Sequence, residues 1–178
     1  MQSVRTGTLQ AMNTLFTRHR YPLLSYFRNM GVRSDDAEDL VQEVFWRMLR
    51  YRESFQNHHS FRAWMFQIAR NSLRDAQKKR PPLHLDSTGD DPTDAISSDP
   101  RETATHQSDV EHLRIALDTL PESKREILVL ARFQHFTHLE LANVLGCSEG
   151  AAKVRLHRAL NALRQSYTQQ LHTSISNR

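Results

Sequence analysis

The sequence has little of what a cross-linked, secreted or membrane-spanning protein needs. It holds one cysteine, Cys147, among 178 residues, so no disulfide can form within the chain and no cysteine cage can hold a metal. The first 30 residues carry four arginines and no apolar run typical of a signal peptide. No stretch approaches the roughly 20 apolar residues of a membrane span. We therefore expect a cytoplasmic protein that is not inserted directly into a membrane.

The sequence also lacks motifs that are typical of catalytic sites. Only five glycines are present, and none builds a phosphate-binding loop or a nucleophile elbow. The hydrophobic share of 38% together with scarce glycine favours a folded, helical protein. The sequence predicts a protein that is not an enzyme and that has no cofactor.

Charge divides the chain into three parts. Residues 1–80 hold 14 Lys and Arg against 7 Asp and Glu, whereas residues 81–109 hold 1 against 7. Residues 110–178 are basic again, with 9 against 6. Basic blocks attract polyanions, and DNA is the commonest polyanion in the cytoplasm.

The middle part has the composition of a linker. Residues 81–109 contain four prolines and many Asp, Ser and Thr, and no apolar periodicity is sustained there. The fold class expected is all-α, with two small helical domains joined by a flexible acidic linker. The domains span 1–80 and 110–167, and a loose tail is predicted over 168–178.

Apolar periodicity predicts the helices of the first domain. One helix covers 8–29, with Pro22 as the point at which it would break. Asp35 and Glu38 form the pattern of a capping box for a second helix. A polar loop from Glu53 to Ser60 precedes a third helix over 61–79.

The second domain contains the most specific local pattern. Pro121 suits the first position of a helix. Thr137 and Glu140 have the spacing of a capping box, and Gly146 ends the short helix that follows. Ser148 can cap the next helix. Two helices joined by a short turn containing glycine predict a helix-turn-helix.

A helical wheel separates the two faces of the last helix. Its inner side carries Ala152, Leu156, Ala159 and Leu163. The outer face of such a helix enters the major groove of DNA, unless the hairpin is an ordinary one with a solvated face. Lys153 and Arg158 suit guanine edges or phosphates, Arg155 on the flank suits the backbone, and Ala151 and Val154 suit a thymine methyl. His157 lies on the same outer face.

Two groups of residues raise the alternative of a metal site. The acidic run Asp35, Asp36, Glu38, Asp39 and Glu43 could hold Mg²⁺, but most of it lies on the outer face of one helix, and its first members sit where a helix N-terminus favours negative charge. His135 and His138 are three residues apart, and no third ligand is suggested by the spacing. A solvated or protein-binding face is the preferred interpretation.

Two long motifs carry a family resemblance. DAEDLVQEVFWRMLR (36–50) followed by SFRAWMFQIARNSLRDAQKKR (60–80) resembles the polymerase- and promoter-binding domain of the extracytoplasmic-function sigma factors, which belong to the sigma-70 family of bacterial RNA polymerase subunits. LDTLPESKREILVLARFQHFTHLELANVLGCSEGAAKVRLHRALNALR (117–164) is similar to their helix-turn-helix domain. The resemblance covers about 150 of 178 residues.

This resemblance implies partners and residue roles. This chain would bind core RNA polymerase at the clamp helices of the largest subunit and at the flap. Asp39, Gln42 and Glu43 would contact the clamp helices. The −10 element of promoter DNA would be contacted by Phe55, Gln56, Asn57, His58, Arg62, Asn71, Arg74 and Lys78. The −35 element would be contacted by Ala151, Lys153, Val154, Arg155, His157 and Arg158. The family commonly has Thr and Ser where this chain has Ala151 and Val154, so its preferred −35 sequence is left open. An anti-sigma factor is the expected regulator.

Two other functions remain as alternatives. A helix-turn-helix regulator would bind duplex DNA as a dimer without polymerase, yet no dimer seam is evident and the acidic helix would have no role. A metal-dependent nucleic-acid enzyme would cleave DNA or RNA with Mg²⁺ and would depend on Asp39.

Overall fold

The computed structural model describes residues 9–55, 60–79 and 110–176, with side chains from 10 to 171 within these ranges. Every regular element of the described residues is helical, which confirms the all-α prediction. The elements are α1 (Leu9–Asn29), α2 (Ser34–Arg50), a 3₁₀ turn (Arg52–Ser54), α3 (Phe61–Lys79), α4 (110–118), α5 (Glu122–Leu128), a π-helical turn (Val129–Phe133), α6 (His138–Leu145) and α7 (Glu149–Ser176). No helix in these ranges is long and apolar enough to cross a membrane.

Helices α1, α2 and α3 pack together as the first domain. Its core is built from large side chains that are almost completely buried, namely Leu23, Tyr26, Phe27, Val41, Met48, Met65, Phe66 and Leu73. The Tyr26 ring meets the rings of Phe27 and Phe66 edge-on, with centroids 5.3 and 5.4 Å apart. Each such side chain contributes about 1.5–3 kcal/mol through its burial.

Two expectations for the first domain are corrected. Helix α1 continues through Pro22. A proline inside a helix costs about 3 kcal/mol, but Leu23, Tyr26 and Phe27 directly after it are fully buried, and their burial outweighs that cost. Helix α2 begins at Ser34 after Arg33, without a side-chain cap. Asp35 is therefore not the capping residue but lies in the first turn, where the helix dipole favours a carboxylate.

Helices α4 to α7 form the second domain around Ile127, Leu128, Leu130, Leu141 and Ala159. The predicted helix-turn-helix is present as α6, a short turn and α7. Both bonds of the Thr137–Glu140 capping box are made, and Gly146 ends α6 in the left-handed conformation with φ 65°. The hydroxyl of Ser148 accepts from the backbone N–H of Ala151 at 3.2 Å, which caps α7.

Two boundaries in the second domain differ from the sequence prediction. Pro121 is the capping residue before α5 and not its first helical residue. Helix α7 continues to Ser176, so residues 168–176 are helical, which corrects the prediction of a loose tail. These residues contain no glycine or proline that would end a helix. The predicted linker over 81–109 lies outside the described residues.

The connection from α5 to α6 is the least regular part of this domain. After the π-helical turn, His135 adopts a positive φ of 51°, a conformation that side-chain-bearing residues seldom take. The N–H of Phe136 then donates to the carbonyl of Leu130 at 3.1 Å. This path buries the ring of Phe136, which is 6% exposed.

Candidate polymerase and nucleic-acid interface

The outer face of α2 carries the residues expected to bind polymerase. Asp39 and Gln42 are exposed and Glu43 is half-buried. Arg47 donates to Glu43 from Nε at 2.6 Å and to Asp75 on α3 from Nη1 at 2.7 Å. The hydrogen bond from Arg47 lowers the pKa of the Asp75 carboxyl. This bridge fixes the position of Glu43, while Asp39 and Gln42 project into solvent.

The same face continues into an exposed apolar strip that sequence reasoning missed. Trp46 is 54% exposed, and the exposed Leu49 and Tyr51 follow it along the chain. The Arg50 guanidinium lies 5.3 Å from the Trp46 ring centroid and 5.8 Å from that of Tyr51. The exposure of Trp46 could have been predicted from the sequence, because Trp46 lies seven residues after Asp39 and so shares its helix face.

The loop expected to capture a −10 base begins at a buried ring. Phe55 is 6% exposed, and its centroid lies 5.9 Å from that of Phe61 and 5.3 Å from that of Trp64. Phe55 therefore packs into the core beneath the loop, and its role as a −10 contact stays a prediction. Trp64 is half-buried in this cluster, as expected of a packing residue. Gln56, Asn57 and His58 lie outside the described residues.

The remaining −10 candidates lie along α3. Asn71, Arg74 and Lys78 are exposed and recur at helical spacing, so they form one polar stripe. Gln67 begins the same stripe. Arg62 is different, because it is half-buried and its guanidinium lies 4.3 Å from the ring centroid of Phe136 in the second domain.

The first three turns of α7 present the −35 candidates. Lys153, Val154, Arg155, His157 and Arg158 are all exposed, and Ala151 is half-buried. The opposite side packs inward, with Ala152 and Ala159 fully buried and Leu156 and Leu163 half-buried. Lys153 pairs with Glu149 at 3.1 Å. Val154 is 50% exposed and is the one large apolar side chain in this set.

Among the described residues, the acidic run, His135 and His138 do not assemble into a metal site. In the part of the chain that the structure describes, no group of three or more His, Cys, Asp or Glu could hold a metal ion. The carboxylate of Glu38 pairs with Arg20 at 3.3 Å, and that of Glu43 is taken by Arg47.

A contact between the two domains was not predicted from the sequence. It joins α1 and α3 to the π-helical turn and α6. The buried carboxylate of Glu126 accepts from Arg70 Nε at 2.8 Å and from the Tyr26 hydroxyl at 3.3 Å. Burial, followed by the nearby charge of Glu126, raises the pKa of Tyr26 well above its usual value.

Further contacts extend this domain interface along α3. The Phe136 ring meets that of Phe66 edge-on at 5.1 Å. Gln67 donates to the carbonyl of Asn143 at 2.5 Å, and Ser60 donates to Glu140 at 3.2 Å. One sequence signal was available, because Glu126 directly precedes the apolar run 127–131 and a charge at a core position needs a partner.

Comparisons with known proteins agree with the two domains. Residues 15–81 match the model for sigma-70 region 2, and residues 113–163 match that for sigma-70 region 4. An extracytoplasmic-function RNA polymerase sigma factor, EcfG of Rhodopseudomonas palustris (strain TIE-1), is 35% identical over 79% of this chain and 76% of its own length.

Solved structures show the same fold. CnrH, in complex with the cytosolic domain of CnrY, is 26% identical with a TM-score of 0.68, over 90% of this chain and 89% of CnrH. The sigma factor RpoE in complex with the anti-sigma factor NepR from Bartonella quintana is 23% identical with a TM-score of 0.72, over 90% of this chain and 98% of RpoE.

The fold and the two family matches together define a transcription-initiation protein. The chain belongs to the extracytoplasmic-function sigma factors of the sigma-70 family.

Proposed function

We propose that this chain binds core RNA polymerase and directs initiation at promoters that carry both a −35 and a −10 element, and that it aids melting of the −10 region. One observation supports this most directly. An acidic and aromatic face on α2 and basic faces on α3 and α7 are exposed on one chain. A dimeric DNA-binding regulator would leave the α2 face without a role.

The α2 face fits the clamp helices of the largest polymerase subunit. Asp39 and Gln42 offer exposed polar contacts, and Arg47 holds the Glu43 carboxylate in place. Trp46 adds an exposed aromatic ring, the kind of residue that most often dominates the binding energy of a protein interface. The flap would be bound by the second domain.

The −10 element would be opened over α3 and the loop before it. Extruding a base costs a few kcal/mol, which a pocket repays by stacking and by hydrogen bonds to the base edge. Gln56, Asn57 and His58 are the proposed contacts to that base, and the buried Phe55 anchors the start of their loop. Asn71, Arg74 and Lys78 would border the DNA, together with Arg62.

The −35 element would be read in the major groove by the outer face of α7. Lys153 and Arg158 would contact bases or phosphates, Arg155 the backbone, and His157 either one. Ala151 and Val154 offer apolar contacts in place of hydrogen bonds.

A further proposed partner is an anti-sigma factor, since one solved structure of this fold is such a complex. The proposed location is the cytoplasm, where polymerase and promoter DNA are found. The protein itself would perform no covalent chemistry and would need no cofactor.

The deciding experiment is in vitro transcription from a pool of promoter fragments with bacterial core polymerase, with and without this protein. We expect initiation that depends on the protein from a subset of fragments sharing both motifs. Tight duplex binding as a dimer, without core binding or added initiation, would instead support a plain DNA-binding regulator.

A further inference from the structure

We propose that the ion pair between Glu149 and Lys153 reads one base pair of the −35 element as a unit, with Lys153 facing a guanine and Glu149 facing the cytosine paired with it. This inference deepens the proposed function and rests on it, because it concerns the same end of α7. Glu149 is not among the residues that the family resemblance assigns to −35 DNA, so it adds a specificity-determining contact there.

Glu149 is the only acidic residue in the sequence of α7, whose first three turns otherwise carry the cations Lys153, Arg155 and Arg158. It lies in the first turn, and the N-terminal residues of a recognition helix contact base edges. A carboxylate near DNA is repelled by the phosphates and so weakens binding that is independent of sequence. Its contribution to DNA recognition therefore depends on a base that offers it a hydrogen-bond donor.

The two side chains already form a unit of donor and acceptor. Lys153 Nζ lies 3.1 Å from Glu149 Oε1, and the side chains are 56% and 46% exposed, respectively. The ammonium has three N–H donors and the carboxylate has about four acceptor sites, so each group keeps capacity for a second partner. An ion pair this exposed contributes little to stability, and both of its polar ends are accessible to a ligand.

The dimensions of this unit match the major-groove edge of a G·C base pair. Guanine O6 accepts a hydrogen bond from cytosine N4 within the pair, so these two atoms lie about 2.9 Å apart. Cytosine N4 also offers a donor to the major groove, and guanine O6 and N7 offer acceptors. With Lys153 Nζ opposite O6 and Glu149 Oε1 opposite N4, the ion pair and the base pair complete a ring of hydrogen bonds. Guanine N7 is then the acceptor for the third ammonium N–H.

This arrangement predicts an order of preference among the four base pairs. T·A presents O4 and N6 in the same order as guanine O6 and cytosine N4, but it offers Lys153 a methyl group in place of N7. C·G and A·T reverse the order, so an amino group would face the ammonium and a carbonyl oxygen would face the carboxylate. Each reversed pair leaves polar groups without partners at the interface. We therefore expect G·C first, T·A second and the two reversed pairs last.

Initiation by core polymerase with the full chain, from promoters altered at single −35 bases, tests this reading. N4-methylcytosine opposite guanine replaces the groove-facing hydrogen of N4 with a methyl group and keeps the base pair. At one −35 position, we expect this change to lower initiation with wild type at least about fivefold, the low end of what a good base contact is worth. With Glu149→Ala, the same change should have no effect on initiation.

Two substitutions of similar size separate base reading from an effect on the helix. The carboxylate of Glu149 also lies where the helix dipole favours negative charge, and both Glu149→Gln and Glu149→Met remove that charge. Only Gln keeps an acceptor oxygen for cytosine N4, so it should retain most of the preference for G·C over C·G, whereas Met should lose it. Glu111→Ala, at an exposed position on α4, is the control and should give the wild-type preference at every −35 position.

The inference is overturned if N4-methylcytosine changes wild-type initiation at no −35 position, or if it lowers initiation with Glu149→Ala as much as with wild type. It is also overturned if Glu149→Gln and Glu149→Met show the same preference between G·C and C·G. An absence of protein-dependent initiation from every promoter would instead count against the proposed function. Binding of the free chain to −35 duplexes with and without N4-methylcytosine then decides the reading, because equal binding to both at every position overturns it.

Discussion

Arg47 of α2 and Asp75 of α3 are joined by a hydrogen bond of 2.7 Å, and the same guanidinium holds Glu43. This bridge ties the proposed polymerase-binding face to the helix proposed to border −10 DNA. The orientation of the acidic face is thereby set by the packing of the whole first domain, and the exposed residues beside it can be changed without disturbing the core.

Charge reversal of Asp39 should weaken binding to core polymerase while leaving the fold intact. Asp39 is exposed, so Asp39→Arg changes the surface but buries nothing. A pull-down or titration with core polymerase should show at least tenfold weaker binding, with an unchanged melting curve. Gln42→Ala should weaken binding in the same direction.

The matched control is Glu38→Arg on the neighbouring face of α2. Its exposed ion pair with Arg20 contributes about 0–1 kcal/mol to stability, so little else is lost. If wild type and Asp39→Arg bind core polymerase equally well, this face is not the polymerase-binding face. The same conclusion follows if Glu38→Arg weakens binding as much as Asp39→Arg does.

Two glycines of the helix-turn-helix should respond in opposite directions to alanine. Gly146 has φ +65°, and an added Cβ would meet nothing within 4 Å. The cost of Gly146→Ala is therefore backbone strain alone, about 1–2 kcal/mol. A Cβ at Gly150 also meets nothing within 4 Å, but this residue is helical, so Gly150→Ala should stabilise by up to about 1 kcal/mol. Denaturant melts of both variants check the signs, and a stabilising Gly146→Ala would contradict the assigned turn.

Acid should weaken the first domain partly through His19. Burial, and then the charges of Arg18 and Arg62, lower the pKa of this imidazole from 6.5. Between that lowered value and 6.5, the unfolded chain binds more protons than the folded chain, so stability rises with pH across this window and is lost as the pH falls. In melting curves at pH 5 and pH 7.5, His19→Gln should show a smaller difference than wild type. His138→Gln, which replaces the same residue type at an exposed position, is the control.

Much of this architecture could be predicted from the sequence because its signals are local. The Thr137–Glu140 box and Gly146 marked the ends of α6 as the structure has them. The inward residues of α7 followed from helical periodicity alone. Where local signals competed with packing they failed, as at Pro22, where the buried residues after it keep α1 continuous.

The domain contact lay beyond local reasoning for a physical reason. Arg70 and Glu126 are 56 positions apart in sequence, and nothing in helix periodicity pairs two such positions. The burial of Phe55 was not predicted for a related reason, because an aromatic residue beside a loop can face either DNA or the core. Only its neighbours, Phe61 and Trp64, decide between the two.

Loss of Arg158 should reduce the use of the −35 element. Arg158 is exposed on the outer face of α7, and a guanidinium that contacts a base edge is worth about 1–3 kcal/mol. Arg158→Ala should therefore lower initiation from wild-type promoters by roughly tenfold and make it less sensitive to −35 mutations. Arg164→Ala, also exposed but about two turns further along α7, is the control. If −35 mutations reduce initiation with Arg158→Ala as much as they reduce initiation with Arg164→Ala and with wild type, Arg158 does not read that element.

Val154 should make initiation sensitive to a thymine methyl group. Its side chain is half-exposed between Lys153 and Arg158, and apolar contact with the C5-methyl is how such a residue reads a base. Uracil in place of thymine removes only that methyl, whose burial is worth about 0.8 kcal/mol, or roughly a fourfold change in rate. We expect the initiation rate with wild type to fall by this factor when uracil replaces one of the −35 thymines. With Val154→Ala, the same replacement should leave the rate unchanged. Equal initiation from thymine and uracil templates at every −35 position would show that Val154 does not read a methyl group.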